Sequence, residues 1–324
     1  MKTRLKRRLL LSLAFGAAVF IALTVIADAE KLAAAFARFP WGYLPLLLAC
    51  ASANYTLRFW KWDYYTRVLA IRPPARKNLI IFLASFIMAV TPGKLGEVLK
   101  SYLLKEVNGT PISKSAPVIL AERLTDFIGL TVIVVIGAFV FEQARTVVVG
   151  FAAFFLAITI LLSMRNVSLR ILAVFDRSRF FRRFSRNIRT AYDSIYLLVR
   201  PRPFAWSSAI SIGSWFFECL AYWLVLRAFH APVPILKASF IYAFSTIVGA
   251  VSMLPGGLGT TEGSLTGLAT LAGTPIDIAV ASTFIIRACT LWYAVLIGVA
   301  ITFFFQHRLH VRIDDIDIDA VNAG

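Results

Sequence analysis

Charged side chains are scarce in this sequence. Lys, Arg, Asp and Glu make up 16% of its 324 residues, whereas 59% are hydrophobic and the mean hydropathy is +0.76. A soluble domain of this length could not bury so many apolar side chains, so the soluble globular classes are excluded. The composition predicts an all-α, polytopic membrane protein.

Cysteine and histidine are almost absent, with three residues of each type. Cys50, Cys219 and Cys289 lie far apart inside apolar runs, which predicts small core residues and neither a disulfide nor a zinc site. No histidine accompanies a serine, cysteine or carboxylate in a nucleophile pattern, and no P-loop or G-x-G-x-x-G motif occurs. The sequence therefore predicts no catalytic residue, no metal ion and no cofactor, in a protein that is not an enzyme.

Acidic residues are also few, at 17 against 34 basic ones, which gives a net charge of +17. In a membrane protein this excess belongs to cytoplasmic loops and meets anionic lipid headgroups, so membrane lipids and not nucleic acids are the expected partners. A basic amphipathic stretch at 178–200 is expected on the membrane surface, with Ile195 towards the acyl chains. Four basic segments are expected on the cytoplasmic side, so both termini are expected there: 1–8, 61–77, 165–203 and 307–312. The expected location is the bacterial inner membrane.

Apolar runs divide the chain into six full spans and four shorter pieces. The full spans are 9–27, 42–60, 116–140, 146–163, 204–229 and 277–305. The shorter pieces form two pairs, 78–91 with 95–105 and 236–254 with 258–272, and each pair is interrupted by a Pro-Gly break. The cytoplasmic assignments agree if each pair is a re-entrant hairpin, or if both of its arms cross the membrane.

With re-entrant hairpins, the repeat at about 42–140 and the repeat at about 204–305 have opposite orientations, as in many transporters. The sequence therefore predicts a single transmembrane domain over 1–313 with an inverted repeat, followed by an acidic tail at 314–324. The breaks TPGKLGE and LPGGLGT share P-G-x-L-G at a constant offset, which aligns Pro92 with Pro255. An acidic residue follows each break, and an arginine follows in the next span, at Arg123 and Arg287.

A broken helix in lipid leaves backbone amides and carbonyls unpaired, which is tolerated where they line a cavity. Proline stops the incoming helix, glycines allow close approach, and the next helix presents its N-terminus as an anion site. Lys94 would strengthen such a site. The alternative is a plain hairpin tip that packs helix against helix through small residues.

Charged residues inside the predicted spans form a second group of candidates. Glu122, Arg123 and Asp126 begin one apolar run, and Glu218 and Arg287 are isolated within others. Such charges normally face a cavity and pair with one another. They either lock helices together or form a headgroup and proton pathway in which the arginines hold a phosphate. Arg58, near the end of its span, is expected to extend to the membrane interface.

Three motifs in this order resemble the family of lysylphosphatidylglycerol synthase transmembrane, or flippase-like, proteins: TPGKLGEVLKSYLL, AERLTDFIGL and LPGGLGTTEGSLTGLATLAG. The resemblance covers about residues 10–305 and implies a lipid-handling membrane domain. In fused members this region translocates aminoacylated phosphatidylglycerol made by a soluble synthase domain, and this chain is expected to be a stand-alone member without that domain. The substrate is therefore expected to be an anionic phospholipid, a polyprenyl-phosphate-linked lipid or a terpenoid lipid.

The sequence thus predicts a lipid flippase with a headgroup site at the two breaks. The alternatives are an accessory or scaffold subunit of a lipid- or envelope-modifying pathway, and an intramembrane enzyme acting on polyprenyl lipids. A homo-oligomer or a lipid-synthesis enzyme partner is compatible with each of them. The candidate site residues are Pro92, Gly93, Lys94, Gly96, Glu97, Glu122, Arg123, Asp126, Glu218, Pro255, Gly256, Gly257, Gly259, Thr260, Glu262 and Arg287.

Overall fold

The computed structural model describes residues 2–90, 97–138, 150 and 185–309, and every regular element in these ranges is helical. The α-helices are α1 (Lys2–Ala27), α2 (Ala29–Arg38), α3 (Leu44–Val68), α4 (Ala75–Ala84), α5 (Leu99–Asn108), α6 (Ile112–Ala138), α7 (Ser185–Leu198), α8 (Pro201–Ala228), α9 (Ile235–Val251), α10 (Thr260–Leu271), α11 (Ile276–Arg287) and α12 (Tyr293–Leu309). Short 3-10 turns lie at Trp41–Tyr43, Ser85–Met88 and Pro255–Gly257, and a π-helical segment at Ala288–Trp292 joins α11 to α12.

The predicted all-helical membrane protein is confirmed in outline. Helix α8 and the continuous stretch Ile276–Phe304 are long and apolar enough to cross a membrane. The pair Ala29–Arg38 and Trp41–Val68, bent by 65°, provides a third span if it is one unit. Among the described residues, Ala14–Ala27 of α1 and Ile235–Val251 are shorter apolar helices. The predicted span 146–163 lies outside the described residues, as do 165–184 and the tail 314–324.

Both predicted Pro-Gly interruptions separate two short helices. Helices α4 and α5 flank the first, and α9 and α10 flank the second. In each half of the chain a long helix precedes this pair and another follows it: α3 and α6 in the first half, α8 and α11–α12 in the second. The order of elements is therefore the same in the two halves.

The turn after α3 is repeated after α8. Ala70 (φ 53°) and His230 (φ 57°) both adopt the left-handed conformation, each two residues beyond the end of its helix. The next amide in each turn bonds back across the helix end, from Ile71 to the Thr66 carbonyl at 2.8 Å and from Ala231 to the Leu226 carbonyl at 3.0 Å. This pattern is a Schellman motif, and it reverses the chain into the first short helix of each half.

The turn that leaves each hairpin is repeated as well. The sequence GTPI occupies both 109–112 and 273–276, although the motifs considered above do not include it. Gly109 (φ 71°) and Gly273 (φ 95°) have left-handed backbones, which glycine adopts without steric cost. Pro111 and Pro275 then stand just before α6 and α11, and their carbonyls accept the first helical hydrogen bonds.

The two halves exchange their last helices. Helix α6 packs against α9 of the second half, and α12 packs against α4 and the Ser85–Met88 turn of the first. Glycines allow both contacts: a Cβ on Gly137 would lie 2.6 Å from the Phe240 Cβ, and a Cβ on Gly298 would overlap the backbone nitrogen of Ile87. Each half of the chain thus packs its last helix against the other half.

Helix α7 packs against the N-terminal part of α6, so one of its faces is buried in the protein. Tyr192, Ile195 and Leu198 are buried in the same cluster as residues of α3 and α6. The expectation that Ile195 faces acyl chains is therefore wrong, because that face of α7 packs against protein. The three cysteines are buried and form no disulfide, as predicted.

Candidate functional site

A cavity of about 290 Å³ lies between the second helix break, the residues that flank the first break and the charged faces of α3, α6 and α8. The first hairpin contributes Ala89 and Glu97 to its wall, and the second contributes Gly256 and Gly257. The remaining wall includes aromatic and apolar side chains such as Phe86. Residues from opposite halves of the chain thus line one cavity.

The second break owes its shape to three glycines with positive φ. Gly256, Gly257 and Gly259 have φ of 60°, 67° and 86°, a region that side chains other than glycine's rarely occupy. A Cβ on Gly257 would also lie 2.6 Å from the Thr261 hydroxyl oxygen. The Thr260 hydroxyl donates to the Gly257 carbonyl at 3.2 Å, which ties the break to the start of α10.

Glu262 and Arg287 hold this break in place. One Glu262 carboxylate oxygen accepts a 2.7 Å hydrogen bond from the Gly259 amide and so caps α10. The other oxygen forms an ion pair with Arg287 Nε at 2.6 Å. Arg287 also donates from Nη2 to the Gly256 carbonyl at 2.7 Å. A carbonyl freed by the broken helix is thereby satisfied inside the protein.

The first hairpin repeats this pairing. Glu97 follows the first break as Glu262 follows the second, and it accepts a hydrogen bond from Arg123 Nη2 at 2.7 Å. Arg123 and Arg287 lie at matching places, on the helices that follow each hairpin. The predicted arginine and carboxylate candidates are therefore brought together in matching pairs. Pro92, Gly93, Lys94 and Gly96 lie outside the described residues.

Asp126 lies at the centre of a denser charge cluster. Lys61 Nζ is 2.5 Å from its Oδ1, and the Ser211 hydroxyl donates to the same oxygen at 3.2 Å. Arg123 and Arg58 approach its Oδ2 at 3.6 and 4.0 Å. The carboxylate is buried, and the cations around it compensate for its desolvation.

Three cations of this cluster are not among the site residues predicted from the sequence. Lys61, predicted to lie in a cytoplasmic linker, is 1% exposed because α3 continues past residue 60 to Val68. Lys100 is paired with Glu122 at 2.5 Å and lies 4.5 Å from the centre of the Trp62 ring. Arg58 lines the cavity and does not extend to the interface. Asn54, Arg58 and Lys61 are spaced i, i+4 and i+7, so a polar stripe on one face of α3 was a usable signal.

Glu218 faces the cavity from α8, as a predicted site residue inside an apolar run. It accepts a 2.8 Å hydrogen bond from the Tyr242 hydroxyl of α9. Nearby, Tyr55 donates to the Thr290 carbonyl at 2.6 Å, and this carbonyl belongs to the π-helical segment. A side chain thus satisfies a carbonyl of the π segment that would accept a backbone amide in a regular α-helix.

The arrangement is suited to binding a charged group away from bulk water. Five cations and five carboxylates meet in and behind the cavity wall. They are Arg58, Lys61, Lys100, Arg123 and Arg287 with Glu97, Glu122, Asp126, Glu218 and Glu262. Within the described ranges, no group of three His, Cys, Asp or Glu side chains converges as metal ligands.

Comparison with known proteins places these features in a family. The model described as "Lysylphosphatidylglycerol synthase TM region" matches residues 9–298. A UPF0104 membrane protein of Methanothermobacter thermautotrophicus is 26% identical over 290 residues, covering 81% of this chain and 84% of the relative. A UPF0104 membrane protein of Methanocaldococcus jannaschii is 23% identical over 223 residues, covering 69% of this chain and 95% of the relative.

Proposed function

The chain belongs to the family of the lysylphosphatidylglycerol synthase TM region, and we propose on this basis that it is a flippase, a transporter that moves a lipid with an anionic headgroup between the two leaflets of the cytoplasmic membrane. The substrate class comprises phospholipids, polyprenyl-phosphate-linked lipids and terpenoid lipids with an anionic group. The protein itself carries out no covalent chemistry in this proposal.

The observation that carries the proposal is the cavity between the two breaks. Its wall combines the cations Arg58, Arg123 and Arg287 with apolar side chains such as Phe86 and Leu291. A lipid needs both kinds of surface, since its headgroup must be shielded from hydrocarbon while its chains stay in lipid. Charges inside a membrane domain are costly and are kept where they act on a substrate or an ion.

The proposed topology has two re-entrant hairpins that enter from opposite faces. Helices α5 and α10 contain 10 and 12 residues, so they are about 15 and 18 Å long and shorter than the roughly 30 Å hydrocarbon core. The repeated turns and exchanged helices support two equivalent halves. With cytoplasmic termini and six full spans, these halves have inverted orientation, and the breaks meet near the bilayer midplane.

The ion pairs suggest how the site changes between empty and occupied states. A phosphate that enters the cavity competes with Glu97 and Asp126 for their shared cations. A displaced carboxylate in this setting binds a proton more readily, because it has lost its counter-charge. Transport is therefore either facilitated or coupled to protons, and the sequence has no nucleotide-binding motif to supply another source of energy.

A second candidate function is an accessory subunit of a lipid- or envelope-modifying pathway that does not transport. It is favoured by the close pairing of Arg123 with Glu97 and of Arg287 with Glu262, because such pairs also lock helices together. This candidate predicts that apolar replacement of both members of a pair preserves function in cells wherever folding survives.

The experiment that separates the two is a leaflet-accessibility assay. Purified protein is reconstituted with fluorescent phosphatidylglycerol in both leaflets, and a membrane-impermeant quencher is added outside. A transporter lets the quencher remove fluorescence beyond the outer-leaflet fraction, whereas protein-free vesicles stop at that fraction. A purified protein that gives the protein-free result for phosphatidylglycerol, a polyprenyl phosphate and an anionic terpenoid lipid would refute transport.

A further inference from the structure

The cations that face the cavity differ in their distances to the nearest carboxylate oxygens. Arg123 and Arg287 hold carboxylate oxygens at 2.7 and 2.6 Å, and Lys100 holds Glu122 at 2.5 Å. Arg58 differs, because its nearest carboxylate oxygens, on Glu97 and Asp126, are both 4.0 Å away. Among the described residues Arg58 makes no hydrogen bond. A guanidinium has five N–H donors, and a buried one requires partners for them.

The backbone that carries Arg58 is held firmly. Asn54, one turn before it, donates to the Ser214 carbonyl at 2.8 Å, and Lys61, one turn after it, is paired with Asp126. The Arg58 guanidinium lies 5.8 Å from the centre of the Trp215 ring. Stacking on an aromatic face leaves the in-plane N–H groups available for an anion. Arg58 is thus held in position, and its N–H groups remain available for an anion.

Some charged residues of the site occur in both halves of the chain, and others occur in only one half. Both halves have a carboxylate after the break and an arginine that binds it, so these pairs are needed once for each hairpin. Arg58 has no cationic counterpart, because Glu218 occupies the equivalent position in α8. The sequence offset that relates these two residues also relates Asn54 to Ser214. A single ligand between two similar halves requires residues that differ between them.

Lys61 and Lys100 also lack counterparts but are unsuited to a ligand. Their side chains are 1% and 3% exposed, and each contacts a carboxylate at 2.5 Å. The Arg58 side chain is 17% exposed and lines the cavity. Arg123 also lines the cavity and is 20% exposed, but Glu97 holds its Nη2 at 2.7 Å. Arg58 differs from Arg123 in that none of its donors is held by a carboxylate at hydrogen-bond distance.

We propose that Arg58 binds the phosphate group of the ligand, whereas Arg123 and Arg287 hold the helix breaks through Glu97 and Glu262. The inference rests on the proposed function for the source of that phosphate, a lipid headgroup. A planar guanidinium binds two phosphate oxygens at once, and this geometry favours arginine over lysine at the position. The incoming phosphate replaces the loose contacts of Arg58 with Glu97 and Asp126.

The test is calorimetric titration of the full chain in detergent with three probes: short-chain phosphatidylglycerol, inorganic phosphate and short-chain diacylglycerol. Arg58→Gln is expected to weaken binding of phosphatidylglycerol by about tenfold to hundredfold, as for loss of charge-assisted hydrogen bonds. Arg227→Gln is the matched control, since Arg227 stacks on Trp223 at 5.0 Å but is exposed and outside the cavity. This control is expected to bind as the parent protein does.

Each outcome bears on the inference. Arg58→Gln that remains folded and binds as tightly as the parent would overturn it, as would a parent protein that binds neither phosphate-containing probe. If Arg58→Gln does not fold, Arg58→Lys keeps the charge, and equal binding by this variant would overturn the bidentate role. If inorganic phosphate binds in an Arg58-dependent way but the lipid does not, the Arg58 site stands and the proposed lipid transport fails.

Discussion

Asn54 and Ser214 occupy equivalent positions in the two halves of the chain, and they are hydrogen-bonded to each other. The Asn54 side-chain amide donates to the Ser214 carbonyl at 2.8 Å, and both residues are fully buried. This contact lies in the interface of α3 and α8, where the two halves of the chain pack together.

Loss of this contact should destabilise the protein. Asn54→Leu removes the donor to the Ser214 carbonyl, so we expect the free energy of unfolding to fall by about 1–3 kcal/mol. Thermal unfolding in detergent measures the change. Thr56→Val is the control, because the Thr56 hydroxyl is exposed and bonds within its own helix, to the Ser52 carbonyl. A control that destabilises as much as Asn54→Leu would contradict a stabilising role for this contact between the two halves.

The pair of Glu262 with Arg287 should behave as one unit. Glu262→Gln keeps an acceptor for the Gly259 amide but leaves Arg287 without its counter-charge, at a cost of about 3–5 kcal/mol for a buried pair. Arg287→Met should cost a similar amount, and the double variant should cost less than the sum. A thermal-unfolding double-mutant cycle measures the coupling. Additive effects would contradict the prediction that Glu262 and Arg287 act as one unit.

The exchange of helices predicts opposite effects at two helical glycines. Gly298→Ala places a Cβ against the backbone of Ile87 and should disrupt the contact of α12 with the first hairpin. Gly267→Ala in α10 meets no atom within 4 Å and should stabilise by about 0.5–1 kcal/mol through helix propensity. Melting temperatures of the two variants check this. Equal stability would show that α12 does not pack tightly on the Ser85–Met88 turn.

The proposed topology predicts which loops react on each side of the membrane. In a background without the three buried cysteines, Arg72→Cys and Glu106→Cys flank the first hairpin and should be labelled from the cytoplasm. His230→Cys, at the entry to the second hairpin, should be labelled from outside. All three positions are exposed. Labelling of Glu106→Cys from outside would mean that the first pair of short helices crosses the membrane as one broken span.

The architecture around the breaks could be predicted because proline and glycine act locally. Pro255 and the glycines after it prevent the helix from continuing beyond the end of α9, so the interruption and the short helices beside it follow from the sequence. The two arginines could also be predicted from local sequence, because each is a charged residue inside an apolar run. Their partners Glu97 and Glu262 follow from the repeated order of residues.

The charge cluster on α3 could not be assigned as readily, because its role depends on packing between distant helices. Arg58 and Lys61 stand near the basic end of a span, where the local pattern equally indicates residues that extend to the interface. Only the approach of α6 and α8 turns the face with Asn54 towards the protein interior. The extension of α3 to Val68 likewise depends on burial of Trp62 and Tyr65 against other helices.

The central claim is that the cavity between the breaks is the path of the headgroup, and a pair of adjacent residues on α9 tests it most directly. Ala250 lines the cavity, whereas Val251 is 53% exposed on the outer surface. Ala250→Trp and Val251→Trp add similar bulk to the same helix turn, and both are reconstituted for the leaflet-accessibility assay after their melting temperatures are compared. The account predicts that Ala250→Trp abolishes lipid movement while Val251→Trp moves lipid at the parent rate. Undiminished movement by a folded Ala250→Trp protein would contradict it.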